Sequence, residues 1–396
     1  MKVLQVNIFG NLSTGRIAVD LYRTLREEGH EGVVAYTRNT IAEDVQCFQF
    51  GTKWSVYCDV VLTRLTDKAG FFSKRATKKL IEYIEKYNPD IVHLHNLHGY
   101  YINIELLFHY LKDTRRKVVW TLHDCWSFTG HCCNFEAVNC NKWKTGCNHC
   151  KNTYLYPASI VDNSLRNYET KRKLFCSLDS MVLVTPSKWL SGLVSQSYMG
   201  KFEVKTIYNG VDTNIFRPTK NGWREKNGLQ RKKIILGVAG TWTPTKGLAD
   251  MVKLSELLGE PYVVVVVGVT ERQLKNLPKS IVGIKRTYNS IELAEIYTEA
   301  EFFVNPTYDD NFPNVNLEAL ACGTPVLTYR TGGSPEAIDD SCGKVIEKGN
   351  VQELAETIKS STFLEKDCLS RARMFRKEEA YKEYIELYKK MIDKDT

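Results

Sequence analysis

Two carboxylates and a lysine are the groups in this chain whose types and spacing most directly suggest chemistry. Asp310 and Glu318 stand eight positions apart in Tyr308-Asp309-Asp310-Asn311-Phe312-Pro313-Asn314-Val315-Asn316-Leu317-Glu318. The apolar spacing predicts a short helix over 315–322, stopped by Gly323 with Pro325 just beyond. Pro313 and Asn314 fall where that helix begins, so backbone N–H groups should project from its end. A positive helix terminus flanked by two acids suits a ligand carrying both phosphate and hydroxyl groups, and a nucleotide sugar is such a ligand. Upstream, Gly240-Thr241-Trp242-Thr243-Pro244-Thr245-Lys246-Gly247 leaves an apolar strand and opens a helix. A cation there lies at the carboxyl end of a parallel strand, where phosphates bind. The Gly-x4-Gly-Lys-Ser/Thr spacing of a P-loop is missing. A surface lysine at a helix start would look the same in isolation; the acidic segment downstream favours the phosphate contact.

Together these segments resemble the retaining glycosyltransferases of family 4, which have the two-Rossmann-domain (GT-B) architecture. The acidic segment is similar to the family's Glu-x7-Glu element, with Asp310 at the first Glu and Pro313 where many members carry Gly. The upstream loop is similar to the family's Gly-Arg-x4-Lys-Gly element, with Lys246 at the Lys and Thr241 at the Arg. The likeness runs from Gly15 to Glu318 and takes in the C-terminal helix. It implies transfer of a sugar from a nucleotide diphosphate donor to a hydroxyl acceptor with retention, in polysaccharide or glycolipid synthesis. The acceptor would be a glycan, a lipid-linked oligosaccharide or a small alcohol. Lys246 and the N–H groups near Asn314 and Val315 would stabilise the departing diphosphate. Asp310 would hold the transferred sugar and Glu318 the ribose hydroxyls. Same-face attack assisted by the leaving phosphate would need neither a protein base nor a divalent metal as cofactor. Alternatives are a nucleotide-sugar epimerase of the same architecture, a catalytically weak nucleotide-sugar-binding protein, and a zinc-dependent interaction module. Paired carboxylates also serve glycosidases, but not from a loop–helix junction beside a phosphate site.

His123 closes the strand Val118-Val119-Trp120-Thr121-Leu122. The resemblance places a histidine there near the donor sugar, hydrogen bonding a hydroxyl rather than removing a proton. His93, His95 and His98 alternate along another strand and its exit, with no carboxylate spaced to complete a metal site. Asn96 and His98 are candidates for the acceptor side. Gly10 and Gly15 bracket the first strand-to-helix turn without dinucleotide or Walker spacing. The resemblance gives Gly15 a close backbone approach to substrate and Arg16 an anion contact. Asn209-Gly210-Val211-Asp212 resembles a further family signature, with Asn209 a candidate substrate contact, although an Asn-Gly turn reads the same. Ser334, before Pro335, is expected to cap a helix for stability.

Of twelve cysteines, Cys132, Cys133, Cys140, Cys147 and Cys150 fall within nineteen residues. Cys132-x7-Cys140-x6-Cys147-x2-Cys150 could hold a structural zinc that braces the loop between Trp126 and Pro157. Reduced or disulfide-forming thiols fit the spacing equally, and Cys133 leaves the ligand set open.

These groups need elements to position them. The 396 residues fit two domains, and 43% hydrophobic with 25% charged residues is a globular composition. Alternating short apolar strands and helices predict an α/β fold, two doubly wound Rossmann-like domains facing a central cleft, and the resemblance implies that the C-terminal helix crosses back to the first. The expected domains are residues 1–215 with helix 376–396, and residues 232–375, joined by a polar linker over 215–232. No apolar run reaches the ~18 residues of a membrane span. The N-terminal segment reads directly as a strand, and a cytoplasmic location is expected. The basic stretch Lys53–Lys86 would permit peripheral contact with the inner membrane face, but an ordinary amphipathic helix is the favoured reading. A net charge of +8 without a basic–aromatic recognition module argues against nucleic acid.

Overall fold

The computed structural model describes residues 1–12, 14–220 and 222–393. Two compact units account for them: Met1–Ile207 with the stretch from Tyr381, and Tyr208–Ala380. The first unit contains β1 (Lys2–Val6), β2 (Glu31–Tyr36), β3 (Cys47–Gln49), β4 (Ile91–Leu94), β5 (Val118–Thr121), β6 (Met181–Thr185) and β7 (Glu203–Thr206). They form one parallel sheet in the order β3-β2-β1-β4-β5-β6-β7. The second unit contains β8 (Lys233–Val238), β9 (Tyr262–Val267), β10 (Ile281–Ile284), β11 (Phe302–Asn305), β12 (Val326–Tyr329) and β13 (Gly343–Ile346). These are again parallel, in the order β10-β9-β8-β11-β12-β13. Each sheet reverses its winding once, between β1 and β4 and between β8 and β11. Ligands of such sheets bind at the carboxyl ends of the strands on either side of that reversal.

Central strands such as β6, β9 and β11 are near-continuous apolar runs because both sheet faces are covered there, while the edge strands β3 and β7 carry exposed positions. In the second unit Leu236, Val265 and Phe303 pack with Leu317 and Leu320 of the Asn314–Ala321 helix. Their neighbours Ile235, Val264 and Val304 pack on the opposite face with Met251 and Leu254 of the Leu248–Leu258 helix. Strand alternation thus sends successive residues to two cores. Both helices begin at the carboxyl edge of β8 and β11, where the sequence places its phosphate contacts.

The unit boundaries differ from those expected. Residues 208–215 belong to the second unit, since Val211 bridges to Arg376 and Asn209 bonds the carbonyl of Phe312. The expected linker is also part of that unit: Phe216, Trp223 and Leu229 are buried in its core, and Arg224 pairs with Glu299 at 2.9 Å. The C-terminal helix, Lys377–Asp393, joins the first unit from Tyr381, later than the expected residue 376. Its Tyr384 hydroxyl lies 3.0 Å from Thr121 Oγ1, and its Tyr388 hydroxyl 2.7 Å from His93 Nδ1.

The basic stretch 53–86 is two helices with opposite character. Lys74–Tyr87 is the ordinary amphipathic helix expected, burying Ala76, Leu80 and Ile84. Lys53–Thr66 instead turns Trp54 (77% exposed), Tyr57 (63%) and Leu65 (53%) outward.

Candidate active site

In the second unit, the loops leaving β8 and β11 are stitched together. Tyr308 N–H donates to Thr245 O at 2.7 Å. Gly247 has φ +78°, and a Cβ there would stand 2.1 Å from Pro306 O, so only glycine lets the two loops approach this closely. Lys246 closes a short 3-10 turn, and its ammonium donates to Asp310 Oδ2 at 2.6 Å and Asp309 O at 3.3 Å. The lysine assigned to the diphosphate and the acid assigned to the sugar therefore meet, and they neutralise one another. Both remain partly solvated, which limits such a pair to about 0–1 kcal/mol, little enough for a diphosphate to draw the ammonium away.

Four residues past Asp310 the Asn314–Ala321 helix begins, behind Pro313 at its N-cap, which supplies no side-chain acceptor to the first turn. Asn314 is exposed and Val315 half-buried. Glu318 lies one turn further along the same face and is also half-buried. Its Oε2 accepts the Tyr297 hydroxyl at 3.1 Å. Burial first, and the Glu318 carboxylate second, push the Tyr297 phenol well above its usual range, so it stays a donor.

Buried polar bonds fix this helix. Asn316 is fully buried, accepts from Asn305 Nδ2 at 2.8 Å and donates to Ser334 Oγ at 2.9 Å. Ser334 in turn lies 2.6 Å from Thr328 Oγ1. Ser334 does not cap a helix as expected: Gly333 holds that position, and the Ser334 hydroxyl is spent on Asn316 and Thr328. At the other end, Gly323 at φ +82° bonds back to Leu320 O, and Thr324 N–H bonds Ala319 O, the paired bonds of a Schellman stop. Asn209 Nδ2 reaches Phe312 O at 3.4 Å, holding the loop that precedes the helix. Lys246, Asp310, Asn314, Val315, Glu318 and Asn209 thus belong to one constellation of loop and helix start.

In the first unit, His123 leaves β5 and is half-buried. Gln5 Nε2 donates to Ala18 O at 2.8 Å, which turns Gln5 Oε1 toward His95 Nε2 at 3.2 Å. His95 therefore carries its proton on Nε2, and its Nδ1 accepts from His123 Nε2 at 3.1 Å. That relay puts the His123 proton on Nε2. Burial lowers the His123 pKa to about 4 against a smaller opposing pull from Asp124. Burial likewise takes His93 to about 3 and holds His95 well below its usual value. His93 lies 2.8 Å from Thr121 Oγ1, so it and His95 anchor β4 rather than bind metal.

His98 is buried, with Nε2 2.7 Å from Asp124 Oδ2 and Nδ1 3.2 Å from the Tyr156 hydroxyl. Burial alone would raise the Asp124 pKa, but His98 and the N–H of Trp126 hold it below the usual carboxylate range. Gly15 is buried at the start of the Thr14–Glu27 helix, where a Cβ would stand 2.6 Å from Phe9 O. Chain packing is enough to require glycine there. Arg16 is exposed at the same helix start. All twelve cysteines are free thiols, and Cys132 Sγ lies 3.9 Å from Cys150 Sγ.

Sequence reasoning missed Tyr297, the Asn305–Asn316–Ser334–Thr328 network, Asp124 and Tyr156. Only Asp124 left a signal, as the acid beside His123; the others find their partners across long sequence separations.

The model for Glycosyltransferase Family 4 matches residues 14–215, just over half of the chain, and that for Glycosyl transferases group 1 matches residues 219–382. The putative colanic acid biosynthesis glycosyl transferase WcaC of Escherichia coli is 23% identical over 99% of this chain and all of its own length. A D-inositol 3-phosphate glycosyltransferase of Saccharomonospora viridis is 28% identical over 39% of this chain and 41% of its own. Among solved structures, sucrose-phosphate synthase from Thermosynechococcus elongatus superposes with a TM-score of 0.71 at 15% identity, covering 99% of both chains. Anabaena HepE in complex with UDP gives 0.70 at 14% identity, covering 98% of this chain and all of that one. Two doubly wound sheets, a lysine–acid–helix constellation at the winding reversal of the second, and family models spanning nearly the whole length lead to one statement: this chain is a glycosyltransferase and belongs to family 4.

Proposed function

We propose that this chain transfers a hexosyl or related sugar from a nucleoside diphosphate donor to a hydroxyl acceptor with retention at the anomeric carbon, in polysaccharide or glycolipid synthesis. The observation that carries the reading is the Lys246–Asp310 pair beside the start of the Asn314–Ala321 helix. On donor binding, Lys246 exchanges Asp310 for the diphosphate, and the N–H groups of Asn314 and Val315 face the same charge. Asp310, released from the ammonium, accepts from a hydroxyl of the sugar. Glu318, held by Tyr297, accepts from the ribose hydroxyls. The family resemblance assigns His123, in the first unit, a hydrogen bond with a sugar hydroxyl. The leaving phosphate takes the acceptor proton as the new bond forms on the face it vacates. Support comes from WcaC, named for colanic acid biosynthesis, and from HepE, solved with UDP-glucose, which makes UDP-glucose the first donor to test. Thermal shift with UDP- and GDP-sugars selects the donor. NMR of the glycoside product then reads its anomeric configuration, expected to match the donor's. Inversion would sink the mechanism, and donor epimerisation without a new glycosidic bond would sink the transferase reading.

The acceptor side carries a further proposal, peripheral attachment to an anionic membrane face. No helix among the described residues is long and apolar enough to cross a membrane. On the Lys53–Thr66 helix, however, Trp54, Tyr57, Val61 and Leu65 share one outward face. Ile160, 76% exposed, sits beside them through its N–H bond to Arg64 O. Aromatic and aliphatic groups flanked by Lys53, Arg64 and Lys68 match the composition of an interfacial helix. The protein should co-sediment with vesicles containing phosphatidylglycerol, and Trp54→Glu with Leu65→Glu should weaken binding by tenfold or more, roughly the loss of two inserted side chains. Equal partitioning of both proteins, or a dimer abolished by the same changes, would overturn the membrane reading.

A further inference from the structure

We propose that His98, Asp124 and Cys133 form a binding site for one Zn²⁺ at the carboxyl edge of the first unit's sheet. Among the described residues, these three bring one ligand atom each within 4.8 Å of one another. The sulfurs of Cys132, Cys140, Cys147 and Cys150 form no such group of three among the described residues; Cys132 and Cys150 approach to 3.9 Å. The four-thiolate zinc expected from spacing is therefore not assembled, and Cys133 turns to a different cluster.

The trio draws on three separate stretches of chain. His98 lies just past β4 and Asp124 just past β5, adjacent parallel strands, so both leave the sheet at the same edge. A metal reading of the β4 histidines lacked a carboxylate in their own segment. The fold supplies one from twenty-six positions downstream, with His98 Nε2 2.7 Å from Asp124 Oδ2. Cys133 comes from the irregular segment after Phe128, and the backbone fixes it against Asp124: the Cys125 N–H donates to Cys133 O at 2.8 Å.

The atoms that a metal does not need are already engaged, the arrangement in which outer partners orient ligands. Asp124 Oδ1 accepts the Trp126 N–H at 2.9 Å, which leaves Oδ2 for the cluster. On the far side of the His98 ring, Nδ1 lies 3.2 Å from the Tyr156 hydroxyl, which also reaches His98 O at 3.5 Å. With its proton on that carbonyl, Tyr156 accepts Nδ1–H and leaves Nε2 the lone pair that a metal takes. Imidazole, carboxylate and thiolate are all zinc donors, and bonds of about 2.0–2.3 Å set tetrahedral ligand atoms about 3.4–3.6 Å apart. The contact between His98 and Asp124 would open by about 0.7 Å, a change that side-chain torsions supply.

Charge argues the same way. Burial first, and the Asp124 charge second, raise the Cys133 thiol well above its usual range. Zn²⁺ reverses this: the S–H bond breaks, a Zn–S bond forms and the proton leaves to solvent. The thiolate and the Asp124 carboxylate together cancel the charge of the dication. Three protein ligands leave the fourth position to a water. The ion would pin the exits of β4 and β5 to the segment that carries Tyr156, and with them His123, the neighbour of Asp124.

The full chain, purified without chelator, should carry about one equivalent of zinc by plasma mass spectrometry. Exchange with Co²⁺ should give the visible bands of a four-coordinate ion and a thiolate-to-cobalt charge-transfer band, a readout on the unaltered protein that requires no variant to fold. Cys133→Ser should abolish the charge-transfer band, whereas Cys147→Ser should leave it intact. His98→Gln should lose the metal while keeping the thiol, an independent variant should Cys133→Ser not fold. Tyr156→Phe, which removes an outer partner only, should weaken zinc binding by about 10–100-fold. A protein that takes up neither zinc nor cobalt would overturn the site. So would a charge-transfer band that survives Cys133→Ser but disappears in Cys147→Ser. None of these readouts depends on sugar transfer, so the site and the proposed function fail separately.

Discussion

Lys246→Ala is expected to lower kcat/KM for sugar transfer by about 10²–10³-fold while shifting Tm by no more than about 3 °C. The two expectations come from one geometry. In the absence of donor the ammonium is spent on Asp310 and the carbonyl of Asp309, in a partly solvated pair that contributes little to folding. In the reaction the same ammonium faces a diphosphate whose charge grows as the glycosidic bond breaks, in a site the donor itself helps to dry. Its interaction is then stronger in the transition state than in the ground state, which is the condition for an effect on rate. Lys246→Arg should recover part of the loss, since charge is kept but the compact ammonium is replaced by a broader planar group. Asp310→Asn should behave differently, leaving diphosphate binding intact and reducing transfer. Glu318→Gln should act mainly on the KM for donor. Activity of Lys246→Ala within about fivefold of the unaltered protein would remove Lys246 from the mechanism.

The residues that sequence identified for this site were legible because they are local to one another. Asp310, Pro313, Asn314, Glu318 and Gly323 lie on a single loop and helix, and each stop or start signal acts within a turn of itself. The central strands were legible for a related reason: β9 is an unbroken valine run that no surface element would tolerate. Strands β2, β3, β10 and β13 escaped notice. Three of these lie at sheet edges, and β3 and β10 mix exposed or half-buried positions into runs of three and four residues, too few for a period to emerge. The segment over 215–232 was mistaken for a linker because Phe216, Trp223 and Leu229 are spaced for neither a strand nor a helix. They enter the core individually from turns. Its Arg224 is polar in sequence but finds Glu299 seventy-five positions away.

Partners that fix catalytic geometry were the least legible part. Nothing near Glu318 announces Tyr297, and nothing near Asn316 announces Ser334; both bonds exist only because β11, β12 and their helices converge. The Lys53–Thr66 helix shows the converse. The ordinary amphipathic reading of the 53–86 stretch fits Lys74–Tyr87, whereas Lys53–Thr66 buries Asp59 and Thr63 and turns its apolar side chains outward. Similarly, three alternating histidines in β4 and its exit prompted a metal reading to be rejected for want of an acid. The actual partner of His93 lies 295 positions downstream, Tyr388 on the C-terminal helix, and His95 is held by Gln5 and His123.

That packing makes the first unit acid-sensitive. Buried His93 and His95, with half-buried His123, share a bonded network with Gln5, Thr121 and Tyr388, and Asp124 and His98 are the charged or titratable groups beside His123. Each of the three has its folded pKa lowered, to about 3 for His93, about 4 for His123, and well down for His95, against ~6.5 in the unfolded chain. Between pH 6.5 and 4 the unfolded state therefore binds up to three more protons than the folded one. Stability is complete above the unfolded value and is lost as pH falls below it, with a limiting slope on the order of 4 kcal/mol per pH unit. His131 has the opposite sign, since Asp67 outweighs burial and raises its pKa; it adds no loss on the acid side. Against a domain stability of about 5–15 kcal/mol, unfolding of this unit should be well advanced near pH 4.5–5, before most carboxylates titrate. Hydrogen exchange of the β4 and β5 amides followed from pH 7.5 to 5 isolates this unit from the other. His93→Gln should reduce the steepness of the pH dependence by about one proton whatever it does to absolute stability. A flat profile between pH 6.5 and 5, or an unchanged slope in that variant, would mean the histidines do not sit neutral in the core as the bonding pattern requires.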